Sequence, residues 1–274
     1  MKLKGLLKGK LGKKELELVP SSFDVVGSIL IFSDFPKGLN KKEKMIGEVL
    51  VKELKPIKTV CKKTGKYSGV YRLPKLKILA GEKTKETLHK ENGCLLKLDV
   101  EKVYFSTRSG NERLRIAGLV KKNEEVLVMF SGCGVYPCVI SKNSDVKSVV
   151  GVEINPTAHK YGVENLKLNK LINVGLIKGD VCKVLPKLGK KFDRILMPLP
   201  RSAEDFLGVA LNVVKKNGII HFYDFLNEKD FEKGKEKIKK VCDAVGKKFK
   251  ILRLVKCGHF GPGIYRVCLD FKVL

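Results

Sequence analysis

The chain has 274 residues, 43% hydrophobic and 31% charged, a mixture that suits a folded globular protein and excludes a disordered one. Its 56 Lys+Arg against 29 Asp+Glu leave a formal charge of +27, which makes polyanions, nucleic acid above all, the natural partners of its surface. At this length one large α/β domain with a smaller companion is expected rather than two equal halves.

Residues 1–20 are lysine-rich and glycine-interrupted, and read as a basic arm, an edge segment lying against RNA, or a frayed terminus. Lysines run through what would be the apolar core of a secretory signal, and no stretch is long and apolar enough to span a membrane. The expectation is a cytoplasmic monomer without a membrane partner. From Phe23 the chain changes character: 25–32 reads as a strand, and 41–54 carries helical spacing at Met45, Ile46, Val49, Leu50 and Leu54. Short β-like pieces follow at 59–61, 69–72, 77–80 and 94–98, which completes a small α+β domain over 21–107. A helix over 111–120, starting at Ser109 or Asn111, lies in the hinge into a second domain, 108–274.

After Asn123 apolar strands alternate with amphipathic helices. Strands are expected at 126–130, 148–153, 174–177, 194–197, 218–225, 250–255 and 265–273, and helices at 135–143, 155–169, 202–216 and 228–246. Strands separated by such helices demand a doubly wound, mainly parallel sheet covered on both faces. The last two strands, joined by the turn at 258–263 without a helix, should pair antiparallel at one edge. The eight cysteines form no CxxC pair and no zinc-spaced Cys/His cluster, and so read as reduced thiols with no metal.

The first strand of this domain ends in Phe130-Ser131-Gly132-Cys133-Gly134 and runs straight into a helix. Ligands of open α/β sheets sit outside the carboxyl ends of the strands, and Gly132 and Gly134 would let one approach the backbone closely. Glu153 ends the second strand, where a carboxylate can accept from ribose hydroxyls, and Asp180 ends the third, placed to meet an adenine amino group. A dinucleotide fingerprint would require glycine at position 137, which is Pro. S-adenosylmethionine has no pyrophosphate and fits better, with Phe130 and Pro198, at the end of the fourth strand, as further cofactor contacts.

These residues, with Phe23-Asp24-Val25-Val26-Gly27, Gly69-Val70-Tyr71-Arg72, Lys97-Leu98-Asp99-Val100-Glu101-Lys102-Val103-Tyr104-Phe105-Ser106, Asn111-Glu112-Arg113-Leu114-Arg115, Glu153-Ile154-Asn155-Pro156 and Leu199-Pro200-Arg201-Ser202, give the chain its likeness to a known group. It resembles the archaeal and eukaryotic tRNA (guanine-37-N1)-methyltransferases, including their wyosine-pathway relatives, from about Phe23 to the C-terminus. The resemblance implies a class I, Rossmann-like methyltransferase domain, S-adenosylmethionine as cofactor and the anticodon stem-loop of tRNA as substrate. It gives Glu112 the role of general base for the guanine N1 proton, Arg72 that of a donor to guanine O6, and Tyr104 that of shaping the pocket. Arg108, Arg113, Arg115, Pro200 and Arg201 gather in the motifs that surround the proposed pocket and are expected to hold substrate, the guanidinium forks on phosphates.

The family pattern is broken at Val128, where most members have Asp, and at Pro198, where the loop usually reads Asn-x-Pro. The second departure opens a tricyclic wyosine precursor as acceptor, and aminocarboxypropyl transfer is the alternative reaction; a silent RNA-binding protein is the reading from another class. Retention of Glu112 and of the 199–202 loop favours methyl transfer. His221, on an apolar strand, reads as a satisfied core histidine, His89 as a capping or RNA-facing one, and the Glu/Lys alternation at 229–248 as a solvated helix face.

Overall fold

The computed structural model describes residues 3–199 and 202–274. The chain forms two compact units: Met1–Lys90 with Leu95–Thr107, and Glu91–Cys94 with Arg108–Leu274.

The first unit starts with two short helices, α1 (Leu3–Leu6) and α2 (Lys13–Leu18). Leu3, Leu7, Leu11 and Val19 enter one core with Leu30, Phe32, Ile46, Leu50 and Leu79. The segment is therefore packed, not a mobile arm: leucines at a spacing of four outweigh the lysines between them, whose heads stay in water. The expected strand over 25–32 is a hairpin of β1 (Asp24–Val26) and β2 (Ile29–Phe32). Gly27 turns it at φ 55°, with Thr87 Oγ1 2.2 Å from where a Cβ would stand. Helix α3 (Glu43–Glu53) leads to β3 (Thr59–Lys63), parallel to β2, and then to β4 (Leu76–Gly81), antiparallel to β3. A two-stranded ribbon, β5 (Glu86–Glu91) and β6 (Cys94–Asp99), follows; sequence periodicity missed its first strand. His89 Nδ1 accepts from the Gly27 N–H at 3.1 Å, so the ring fastens a turn.

The second unit opens with α4 (Gly110–Leu119) and, among the described residues, is built on seven strands: β7 (Glu125–Met129), β8 (Ser148–Glu153), β9 (Val174–Lys178), β10 (Phe192–Met197), β11 (Val214–Asn227), β12 (Phe249–Gly261) and β13 (Ile264–Val273). Their order is β12-β13-β11-β10-β7-β8-β9. All neighbouring pairs from β11 to β9 are parallel, and β13 runs antiparallel to both β11 and β12. The expected antiparallel pair stands at one edge, with β12 outermost and the final strand, β13, inserted between it and β11. Helices α5 (Val135–Asn143), α6 (Pro156–Leu168), α7 (Val181–Val184), α8 (Leu207–Val213) and α9 (Glu232–Ala244) join the strands. The helix expected over 202–216 is shorter, because a 3₁₀ turn at Ala203–Phe206 precedes α8 and β11 starts at Val214, with Asn217 at φ 64° in an irregularity of its pairing with β10.

The main core runs from Met129 and Met197 through Phe192 and Phe222 to Leu269 and Phe271. Because side chains alternate along a strand, His221 and Tyr223 share the face opposite Phe222, and their cross-strand partners Asp270 and Cys268 share it with them. No helix among the described residues is long and apolar enough to cross a membrane.

Candidate active site at the carboxyl edge of the parallel strands

The turn after β7 is tightly specified. Phe130 sits at φ 60°, a conformation that costs a bulky L-residue about 1–2 kcal/mol and persists only where its surroundings impose it. Its ring packs edge-on against Phe206, with centroids 5.0 Å apart, and the next residue's N–H donates to Val152 O at 2.9 Å. Gly132 and Gly134 follow at φ 57° and 78°, and Gly134 starts α5 in the left-handed region. A Cβ on Gly134 would lie 3.3 Å from Gly162 Cα, so glycine serves both the backbone conformation and the approach of α6. Asn165 Nδ2 donates to Cys133 O at 2.9 Å from a fully buried position and closes the turn.

Glu153 locks this turn to the end of β8. Its Oε2 accepts from Gly132 N–H and its Oε1 from Asn155 N–H, both at 2.7 Å. Burial pushes its carboxyl pKa up, opposed by these N–H donors and by that of Ile154. Asn155 also caps α6 by accepting from Thr157 and Ala158 N–H. Asp180 caps α7 by accepting from Cys182 N–H at 2.8 Å and keeps partial exposure. Gly179, the residue before it, is tied to the end of β8 by donating to Glu153 O at 2.9 Å. Pro198 and Leu199 are half-buried at the end of β10. Among the described residues, the Ser131 Oγ is one of few buried polar atoms with no partner. A glycine cradle, an oriented carboxylate, a second acid at the next strand end and a buried hydroxyl in want of a partner fit a nucleoside that carries an amino-acid arm.

Glu112 stands in the first turn of α4 with 3% of its side chain exposed. Arg115 Nε donates to Oε2 at 2.7 Å and Nη2 to Oε1 at 2.8 Å, while the Tyr223 hydroxyl donates to Oε1 at 2.6 Å. Tyr136 on α5 donates in turn to the Tyr223 oxygen at 3.2 Å. Arg113 and Arg115 were expected on phosphates, and the structure corrects both. Arg113 is buried in a two-pronged pair with Glu91, both contacts 2.5 Å, and Arg115 is spanned between Glu112 and Asp270. Arg108 is exposed. Pro200 and Arg201 lie outside the described residues. His221, Cys268 and Asp270 place ligand atoms within 4.8 Å of one another, yet the Arg194 and Arg115 guanidiniums contact His221 Nε2 and the Asp270 carboxylate, where a metal cation would be repelled.

Arg72 and Tyr104 belong to the first unit. Residues 69–72, expected as a strand, form a turn closed by the reciprocal Ser68 and Leu73 backbone hydrogen bonds, because Gly69 and Arg72 adopt φ 72° and 52°. Arg72 is half-buried. Tyr104 is 46% exposed and packs edge-on against Tyr67, with centroids 5.5 Å apart. Asn155, Asn165, Ser131, Tyr223 and Asp270 escaped sequence reasoning as parts of the site. Ser131 and Asn155 lay in quoted motifs, inside the glycine turn and just after Glu153, and that placement was the available signal.

Residues 87–252 match the family described as the TRM5/TYW2 methyltransferase domain, and residues 3–84 match the TYW2 N-terminal domain. The chain belongs to the TRM5/TYW2 methyltransferase family. Trm5b of Pyrococcus abyssi, a tRNA (guanine(37)-N(1))-methyltransferase, is 38% identical over 256 residues, 93% of this chain and 76% of that protein. Its crystal structure superposes with a TM-score of 0.86 over 96% of this chain and 78% of its own. The tRNA(Phe) (4-demethylwyosine(37)-C(7)) aminocarboxypropyltransferase of Methanocaldococcus jannaschii is 37% identical over 235 residues, 85% of this chain and 93% of that protein. The TYW2 structure of Pyrococcus horikoshii in complex with MeSAdo has a TM-score of 0.85 at 28% identity and covers 99% of this chain and 98% of its own. TRM5/TYW2 relatives therefore include both methyl- and aminocarboxypropyl-transferring enzymes.

Proposed function

We propose that this TRM5/TYW2 protein is an S-adenosylmethionine-dependent tRNA methyltransferase acting on N1 of guanosine 37. The observation that carries this reading is the rigid assembly of Gly132, Gly134, Glu153 and Asp180 at adjoining strand ends, in a family whose relatives act at that nucleotide. Phe130, Gly132, Gly134, Glu153, Asp180 and Pro198 would hold the cofactor, with Glu153 directed at the ribose and Asp180 at adenine. When bound, S-adenosylmethionine supplies an electrophilic carbon on a sulfonium.

Glu112 would take the N1 proton as N1 bonds to the transferred carbon and that carbon's bond to sulfur breaks, the electron pair leaving with the neutral thioether. To accept it at Oε1 the Tyr223 hydroxyl must swing round, and Tyr136 lets the chain reverse: protonated Glu112 donates to Tyr223, and Tyr223 to Tyr136. Arg72 is the donor for guanine O6, Tyr104 the ring that shapes the base site, and Arg108, with Pro200 and Arg201, the RNA contact. The +27 charge supports tRNA binding without reading sequence.

Pro198 in place of the usual asparagine, together with the match to 93% of the aminocarboxypropyltransferase, favours a second reading, in which a tricyclic wyosine precursor is the acceptor. Incubation of the protein with S-adenosylmethionine and tRNA transcripts, followed by nucleoside mass spectrometry, tests both. N1-methylguanosine at position 37 is expected; modification of precursor-bearing tRNA alone supports the second reading, and a product heavier by an aminocarboxypropyl group assigns the reaction to transfer of the other sulfonium substituent.

A further inference from the structure

Glu112 is one end of a buried polar file that crosses the second unit. Arg115 forks onto both oxygens of Glu112 and also donates through Nη1 to Asp270 Oδ2 at 2.7 Å, with Nη2 lying 3.3 Å from Oδ1. One guanidinium thus serves two carboxylates. Asp270 Oδ1 accepts further from His221 Nδ1 at 2.6 Å and from Cys268 Sγ at 3.2 Å. The other ring nitrogen, His221 Nε2, lies 2.7 Å from Arg194 Nη1. A guanidinium only donates, so Nε2 must accept, which makes His221 neutral with its proton on Nδ1. Its full burial, which lowers its pKa, acts in the same sense. Arg194 is answered in turn by Glu124, at 2.7 and 3.0 Å, and by Leu119 O at 2.7 Å.

We infer that Asp270 is a positioning residue that sets the proton affinity of Glu112 by competing for Arg115, and that neutral His221 holds Asp270 in that role. The inference rests on the reading of Glu112 as proton acceptor. A carboxylate with a guanidinium to itself is a weak base, because the positive charge favours its ionised form. A second carboxylate on the same guanidinium weakens that hold, and the planar fork keeps Glu112 fixed.

The proton has no competing site in the file. Asp270 has three donors turned to it, and burial, which raises its carboxyl pKa, is outweighed by His221 and Arg115, which hold it well below the usual range. Arg194 blocks His221 Nε2. The other titratable groups around Glu112 are Tyr136 on α5, Tyr223 on β11, Cys257 on β12 and Cys268 on β13, and burial raises all four, so they stay neutral. Arg266 on β13 sits over the Tyr223 ring at 5.7 Å and donates to Ser109 Oγ at 2.8 Å.

The test is the pH dependence of single-turnover transfer from labelled S-adenosylmethionine to a tRNA transcript, measured with the full chain and its variants. Asp270→Asn leaves Arg115 to Glu112 alone; the acid limb is expected to move about one unit to lower pH and the plateau to fall several-fold, with cofactor affinity unchanged. His221→Leu deprives Asp270 of a donor, so Asp270 draws harder on Arg115 and the limb moves to higher pH. Opposite shifts are not what a purely structural loss produces. Limbs that coincide with wild type in folded, cofactor-binding variants overturn the inference; if Asp270→Asn does not fold, the direction of the His221→Leu shift decides alone. Glu112→Gln separates the two layers: wild-type rates in that variant remove the base reading itself, whereas its inactivity with unmoved limbs removes only the role of Asp270.

Discussion

Glu153→Gln isolates the link between the glycine turn and the cofactor. The wild-type carboxylate accepts from Gly132 N–H at Oε2 and from Asn155 N–H at Oε1, each at 2.7 Å, in a side chain almost wholly withdrawn from water. Glutamine keeps the shape and one acceptor oxygen but turns an NH₂ toward one of those N–H groups, so one charge-assisted bond is lost and two donors confront each other. Hydrogen bonds to charged groups contribute about 1.5–3 kcal/mol. Stability should fall by less than that, because burial already raises the carboxyl pKa and a neutral amide escapes the desolvation cost. Cofactor binding loses the ribose acceptor and the turn geometry together, and at about 1.4 kcal/mol per tenfold the dissociation constant of S-adenosylhomocysteine should rise roughly 10- to 100-fold. Calorimetric titration beside a thermal melt measures both. A melt lowered by several degrees with unchanged affinity would refute the reasoning, since it would make Glu153 a brace for the fold and not for the ligand.

Asp180→Ala removes the cap on α7 and the proposed adenine acceptor, and should weaken S-adenosylhomocysteine about tenfold, whereas Asp180→Asn, which keeps an acceptor oxygen, should stay close to wild type; equal losses in calorimetry would count against the adenine contact. Arg113→Met removes the two-pronged guanidinium from the buried Glu91 carboxylate and should cost about 3–5 kcal/mol in urea unfolding while the salt dependence of tRNA binding keeps its slope; a slope reduced by about one would restore the phosphate contact. Glu125 is held at about 2 by Lys215 and Lys190, below its value in the unfolded chain. A depressed carboxyl stabilises above the unfolded pKa and ceases to do so as pH falls through the folded one, so Glu125→Gln should flatten the stability loss from roughly pH 4.3 downward. Urea midpoints read across that window check it, and parallel curves would contradict the assignment.

Local pattern carried much of the second unit. Helix α5 and strand β8 fall on the expected residues, because each carries an apolar run bounded by polar or glycine-containing turns. What pattern could not carry was the choice between two local tendencies. Leu3, Leu7 and Leu11 repeat at helical spacing inside a lysine-rich stretch, and only a core that accepts them makes that spacing decisive. In 69–72 the β-favouring Val70 and Tyr71 are overruled by Gly69 and Arg72 at positive φ. Charge carries no record of its partner either: Arg113 reads as an RNA contact until the fold delivers Glu91, 22 residues earlier, to its guanidinium.

The same limit explains why the glycine turn and its acids were legible while the surroundings of Glu112 were not. Gly132, Glu153 and Asp180 lie at successive strand ends of a parallel sheet, so chain order alone predicts that they share an edge. Asp270 reaches Glu112 only because β13 enters between β11 and β12, which pairs it in register with His221. Had β13 been the outermost strand with β12 beside β11, a whole strand would separate His221 from Asp270, and Arg115 would have no second carboxylate to serve. Arg194 supplies the complementary constraint from β10, fixing the tautomer of His221 from the opposite side to Asp270. A histidine legible as a satisfied core residue is therefore satisfied in one direction only, donating to Asp270 and accepting from Arg194, and that directionality is what couples the last strand of the sheet to the proposed base on α4.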